Sequence, residues 1–182
     1  GLLAGHIGQL WVSLERAPLR TLGETRLWYS FFLLIVGAIL FYRWKMKWIL
    51  LFSVALSAVF MCINILTPEN FDKTLMPALQ SVWFVPHVIV YIFAYSLLAA
   101  STLIALKGLY QLIIKKNFNS EILFMADNIV YIGFSFLTFG LLFGALWANE
   151  AWGHYWTWDP KETWSFVTWM LYLLYIHFRY HH

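Results

Sequence analysis

Six apolar runs divide the chain, over residues 1–14, 27–42, 48–66, 83–106, 122–146 and 163–178. Most approach the ~20 residues a helix needs to cross a bilayer core. The third, WILLFSVALSAVFMCINIL, holds no charge and is flanked by Lys47 and by Thr67-Pro68-Glu69. The pattern predicts an all-α, polytopic membrane helical bundle of about six transmembrane helices, one domain over residues 1–182, with a short first span. Between the fourth and fifth runs, residues 107–121 include KGLYQLIIKK, which is either a short amphipathic helix along the membrane surface or a plain connector.

Composition sharpens that picture. Apolar residues make up 62% of the chain and charged ones only 12%, against about 25% charged in a water-soluble domain. Aromatics reach 20%, with 11 Trp, as expected where two membrane interfaces must be populated. The net charge of +3 is scattered through short loops, so no basic stripe points to nucleic acid. Cys62, the single cysteine, excludes an internal disulfide or CxxC site and is expected to be a small buried apolar residue. Both ends read as cut: Gly1 opens inside an apolar stretch, and His181 and His182 follow the last span and are assigned no role. Orientation rests on Lys and Arg in alternate loops. One side carries seven (Arg43, Lys45, Lys47, Lys107, Lys115, Lys116, Arg179); the other carries five, mixed with acids such as Glu69, Asp72 and Glu150. The first side is placed in the cytoplasm, leaving the segment 147–169 outside.

That segment reads WANEAWGHYWTWDPKETWSFVTW and holds six of the eleven Trp. An interfacial aromatic belt is one explanation. Belts are scattered over many helix ends, however, whereas Trp152, Trp156 and Trp158 crowd one loop with Gly153, His154 and Tyr155. A platform for a flat ligand is the other. Asp159-Pro160-Lys161-Glu162 also reads as a helix start, with Asp at the N-cap, Pro at the first position and Glu closing a capping box.

The run Trp152-Gly153-x-x-Trp156-x-Trp158-Asp159-Pro160-Lys161-Glu162-Thr163-Trp164 resembles the signature of the haem-handling cytochrome c assembly proteins, the CcsA, CcmC and CcmF type with a tryptophan-rich WWD domain. Leu79-Gln80-Ser81-x-Trp83-x-x-x-His87, Tyr172-x-x-Tyr175-x-His177-x-Arg179 and Arg16-Ala17-Pro18-Leu19 are similar to CcsA in particular. The resemblance implies a membrane haem exporter and cytochrome c synthase (haem lyase) component. Haem b is its transported ligand, residues 147–169 its haem-presenting part and the bacterial inner (plasma) membrane its location. A CcsB-type partner, fused or separate, and an apocytochrome c with a CxxCH motif are its implied partners. Trp147, Trp152, Gly153, Trp156, Trp158, Asp159 and Trp164 would hold the ring. Indoles suit it, because a porphyrin is a flat apolar disc and aromatic side chains give wide stacking contact. Lys161 is a candidate propionate partner from charge alone.

Haem iron needs axial ligands, commonly His. His87 lies about four residues into its span, roughly 6 Å deep, and His177 about 14 residues into the last, roughly 21 Å from the same face. A histidine inside a span either ligates or hydrogen-bonds across helices. Separated by roughly 15 Å, the two cannot share one iron, so His87 is assigned to an outer site and His177 to an inner one. The resemblance implies a second external His for the former and a His from the CcsB-type portion for the latter. His154 is expected to face solvent and His6 to pack. Ala94 and Ser101 align with His87 as a small-residue stripe, and Asn128, Tyr131, Ser135, Thr138 and Gly140-x-x-x-Gly144 read as a helix-contact face. Asp127 either supports His177 or sits in interfacial water. A cytochrome b-type transmembrane electron-transfer protein is the competing reading.

Overall fold

The structure, a computed structural model, describes residues 2–67, 79, 81–116 and 120–181; Glu69, Asp72, Lys73, Gln80 and His182 lie outside them. It contains α1 (Leu2–Leu14), α2 (Leu22–Trp44), α3 (Lys47–Leu66), α4 (Phe84–Ile113), α5 (Ser120–Trp152) and α6 (Pro160–His181). No strand occurs among the described residues. Helices α2 to α5 are each long and apolar enough to cross a membrane. Helix α1 has 13 residues. Helix α6, at 22, is long enough at ~1.5 Å per residue but diluted by Lys161, Glu162, His177 and Arg179. The six-helix bundle predicted from the apolar runs is what forms. The segment KGLYQLI is neither a surface helix nor a connector, since it continues α4 to Ile113.

Helices α2 and α4 lie at the centre; α1 and α3 pack on α2, α5 on α4, and α6 on α5. Lipid tails are as apolar as leucine, so close packing rather than water exclusion holds such helices together. At the α2–α3 contact a Cβ on Gly37 would lie 2.6 Å from Ser53 Oγ, which shows how near the two backbones come. There Asn64 Nδ2 donates to Gly23 O at 2.9 Å. Between α4 and α5, Ala94 and Ser101 are buried, as the small-residue stripe predicted.

Two helix starts share one chemistry. At α2, Glu24 N–H donates to Thr21 Oγ1 and the Thr21 N–H to Glu24 Oε2, a capping box. Arg16 grips the same buried carboxylate with two bonds of 2.9 and 3.0 Å. This gives Arg16, from the Arg16-Ala17-Pro18-Leu19 motif, a bracing role between the α1–α2 turn and α2.

Several expectations are corrected. Cys62 is exposed, because α3 packs mainly on α2 and leaves its far side open. His6 is exposed rather than packed. Tyr131 and Ser135 are exposed, with Ser135 bonding back to Tyr131 O, while Thr138 of the same expected face meets α6, accepting from Trp169 Nε1 at 2.9 Å. Asp127 serves neither His177 nor interfacial water. It is 6% exposed, and Arg179 binds it through Nε and Nη2 while Tyr175 donates a 2.5 Å hydrogen bond. Since no residue of α6 is buried, this cluster is the polar clamp that seats α6 on α5.

Candidate functional site

The Trp-rich segment spans three kinds of structure: the end of α5 to Trp152, a loop over 153–159, and α6 from Pro160. Gly153 ends α5 at φ +80°, its N–H donating to Asn149 O at 2.9 Å. Trp158 adopts φ +60°, uncommon for a bulky side chain, and directs the chain into α6. The capping box forms as read: Glu162 N–H donates to Asp159 Oδ1 at 2.8 Å, and Glu162 Oε2 accepts from Thr157 N–H at 2.6 Å and Asp159 N–H at 3.4 Å. Asp159 therefore fixes both the helix start and the loop carrying Trp156 and Trp158. At the adjacent end of α4, Ser81 Oγ donates to Glu150 Oε2 at 2.5 Å and accepts from Trp83 N–H, tying the start of α4 to the end of α5.

His87, one turn into α4, lies between these elements. Its Nδ1 pairs with Gly140 O at 2.9 Å. A carbonyl oxygen can only accept, so Nδ1 carries the proton and donates, which leaves the lone pair on Nε2. The ring stacks on Trp147 at 5.5 Å and 18° and leans on Tyr91 at 4.8 Å. Gly144 makes room for it, because a Cβ there would lie 2.8 Å from His87 Cε1 and 2.9 Å from Nδ1. Gly140 does the same for the Tyr91 ring. The Gly140-x-x-x-Gly144 motif is thus a contact face, as expected, but it admits two aromatic rings rather than another backbone.

A cavity of about 380 Å³ opens beside His87, within the ~300–1,000 Å³ typical of cofactor sites. Of the residues expected to hold the ring, Trp147, Trp152, Trp156, Asp159 and Lys161 line it. Trp147 and Trp152 meet edge to face at 4.7 Å, making one wall. Gly153 shapes the loop without lining the space, Trp158 faces a different cavity, and Trp164 is 70% exposed and lines neither. Lys161 is exposed and forms no salt bridge among the described residues. Reading the sequence alone missed Tyr91, Tyr95 and Ser165. The first two follow His87 at four-residue spacing, a signal that was available.

The arrangement offers a base nitrogen with its tautomer set from behind, flat indole walls and one free cation at the rim. Those are the features a metalloporphyrin with acidic side arms requires. A family described as "Cytochrome C assembly protein" matches this chain over residues 21–182. The chain belongs to that family. The curated "Cytochrome c biogenesis protein CcsA" of Cuscuta exaltata is 32% identical over 213 aligned residues, covering 98% of this chain and 68% of that protein. Its namesake from Nicotiana tomentosiformis is 33% identical, covering 97% and 69%. The CcsA of Chlamydomonas reinhardtii reaches 45% over 112 residues, 58% of this chain and 32% of its own length. A role in cytochrome c biogenesis, carried out by a membrane protein, follows from this membership.

His177, the other assigned cytochrome c assembly ligand, is not brought near this cavity. It lies eighteen residues into α6 where His87 lies four into α4, a difference of roughly 20 Å along the bundle. Its ring is exposed on the side of α6 away from Asp127 and meets His181, which was assigned no role, at 4.5 Å. His154 faces outward, as expected. No group of three His, Cys, Asp or Glu able to hold a bare metal ion occurs among the described residues.

Proposed function

We propose that this chain exports haem b and presents it at its Trp-rich end for covalent attachment to an apocytochrome c, as a cytochrome c synthase component. The observation that carries this is the His87 geometry: Nδ1 engaged by Gly140 O, Nε2 free, and the ring set in a tryptophan-walled cavity. His87 Nε2 serves as one axial ligand. Gly140 O holds the tautomer and the ring's orientation. Trp147, Trp152 and Trp156 bracket the macrocycle and keep water from its faces, while Lys161 pairs with a propionate at the rim. Bound haem supplies the two vinyl groups that join the thiols of a CxxCH motif, and the open mouth of the cavity leaves its edge within their reach.

His177 provides one ligand of an inner site. Its exposed position suits completion by a residue from outside these six helices, the part that the CcsB-type partner plays in this reading. The Trp-rich end faces outward from the bacterial inner membrane, on the strength of the seven Lys and Arg at the opposite end.

Incubating the haem-loaded, reduced protein with a CxxCH peptide tests the assignment. The peptide should gain the mass of haem through two thioethers. A peptide that stays unmodified while the protein keeps its haem would favour the electron-transfer reading instead.

A further inference from the structure

At the end of α6 away from the Trp-rich loop stand two exposed histidines, His177 and His181. Their ring centroids are 4.5 Å apart and their planes lie at 62°. Neither ring takes part in a hydrogen bond or salt bridge among the described residues, so each neutral imidazole keeps a nitrogen lone pair to offer. Residues four apart on a helix differ by about 40° in direction and about 6 Å in height, which puts both side chains on one face. Zinc enzymes draw two ligands from a single helix at this same spacing.

The separation of the rings shows what the pair fits. With metal–nitrogen bonds of ~2.0 Å, an imidazole centroid stands about 3.2 Å from a bound ion. Two such rings at right angles about the ion are then about 4.5 Å apart, and at the tetrahedral angle about 5.2 Å. The observed 4.5 Å sits at the near end of that interval, so chelation requires only that each ring turn its nitrogen inward. For a plain edge-to-face contact, by contrast, it is the short limit of the usual range of about 4.5–7 Å.

The neighbourhood does not repel a cation. Between the two histidines lies one charged residue, Arg179, and its guanidinium is bonded to Asp127 on the other side of the helix through Nε and Nη2. Imidazole donors select Zn2+, Ni2+ and Cu2+, whereas Mg2+ and Ca2+ prefer oxygen. With two protein ligands the remaining coordination positions go to water, as suits an exchangeable ion rather than a structural one.

We propose that His177 and His181 form a bidentate site for an exchangeable divalent transition cation of the Zn2+, Ni2+ and Cu2+ class. An ion held there takes the lone pair of His177, so on the haem-handling reading above it competes with an inner haem for that residue.

Titration with Ni2+ tests the site, using the intact protein isolated without an affinity tag from haem-depleted cells and washed with a chelator. Ni2+ should bind the wild type in a single-site isotherm that excess Mg2+ does not disturb. His177→Ala and His181→Ala should each weaken binding about tenfold or more, the advantage that a second tethered ligand confers. His154→Ala and His182→Ala should leave the affinity unchanged. Neither ligand substitution threatens the fold, since α6 buries no residue. With Cu2+, electron paramagnetic resonance should show two coordinated nitrogens in the wild type and one in either ligand variant. An affinity that survives both substitutions, or that falls with His182→Ala instead, overturns the proposal and leaves the two rings as a plain aromatic contact. Haem does not enter this titration, so the two readings fail separately. Wild-type protein from haem-replete cells that is colourless, yet binds Ni2+ through His181, would support the metal site and bring down the proposed function. A haem-bearing protein whose Ni2+ affinity ignores both histidines would do the reverse.

Discussion

Substituting Gly144 by alanine separates the fit of His87 from the stability of the helix that supports it. The new methyl would sit 2.8 Å from His87 Cε1 and 2.9 Å from Nδ1, inside the separation that carbon and nitrogen tolerate. The imidazole has little freedom to yield, being held by Gly140 O at 2.9 Å and stacked on Trp147 at 5.5 Å. It must swing away, and the hydrogen bond that sets its tautomer breaks. Loss of such a supporting partner typically weakens metal binding about 10–100-fold, or roughly 1.4–2.7 kcal/mol. Within α5, by contrast, Gly→Ala favours the helix by up to about 1 kcal/mol. Haem titration of the purified variant should therefore show the 10–100-fold loss while its unfolding temperature holds or rises. Gly8→Ala, whose added methyl meets nothing within 4 Å, is the control and should leave binding unchanged. Wild-type haem affinity in Gly144→Ala would refute the account of how His87 is aimed.

Other consequences are equally open to measurement. Asp127→Asn should loosen α6 by roughly 1–3 kcal/mol, the scale of charge-assisted hydrogen bonds with Arg179 partly solvated, and limited proteolysis should then cut nearer residues 153–159. Tyr175→Phe removes one bond of that cluster and should cost about 1 kcal/mol by thermal unfolding. Gly37→Ala forces a contact with Ser53 and should destabilise by about 1–3 kcal/mol, with Ser53→Gly restoring stability in the double variant. If Asp159 works through its cap, Asp159→Asn should retain haem, whereas Asp159→Ala should weaken the loop by about 1 kcal/mol and lower haem occupancy with it.

The helices were legible because long uncharged runs leave few alternatives in a bilayer, and the α6 start because a capping box is local chemistry. His87 was legible as an intramembrane histidine. Its mode of support was not, since the acceptor is a backbone carbonyl 53 residues away, and glycine spacing alone does not tell a backbone contact from a ring contact. Asp127 was misread for a similar reason: Arg179 and Tyr175 come from another helix, and nothing local announces them. Periodicity placed Tyr131, Ser135 and His177 on helical stripes without saying which stripes meet a neighbour. Within the cluster of tryptophans, composition could not separate Trp152 and Trp156, which line the His87 cavity, from Trp164, which does not.

The central claim is that His87 Nε2 holds haem iron at the Trp-rich end. The absorption spectrum of the intact protein, purified from haem-replete cells and compared with His87→Ala, tests it most directly. The account predicts a Soret band in the wild type, with part of it lost in the variant and regained when imidazole is added to fill the vacated ligand position. A colourless wild-type protein, or a variant with an undiminished and unshifted band, would contradict it.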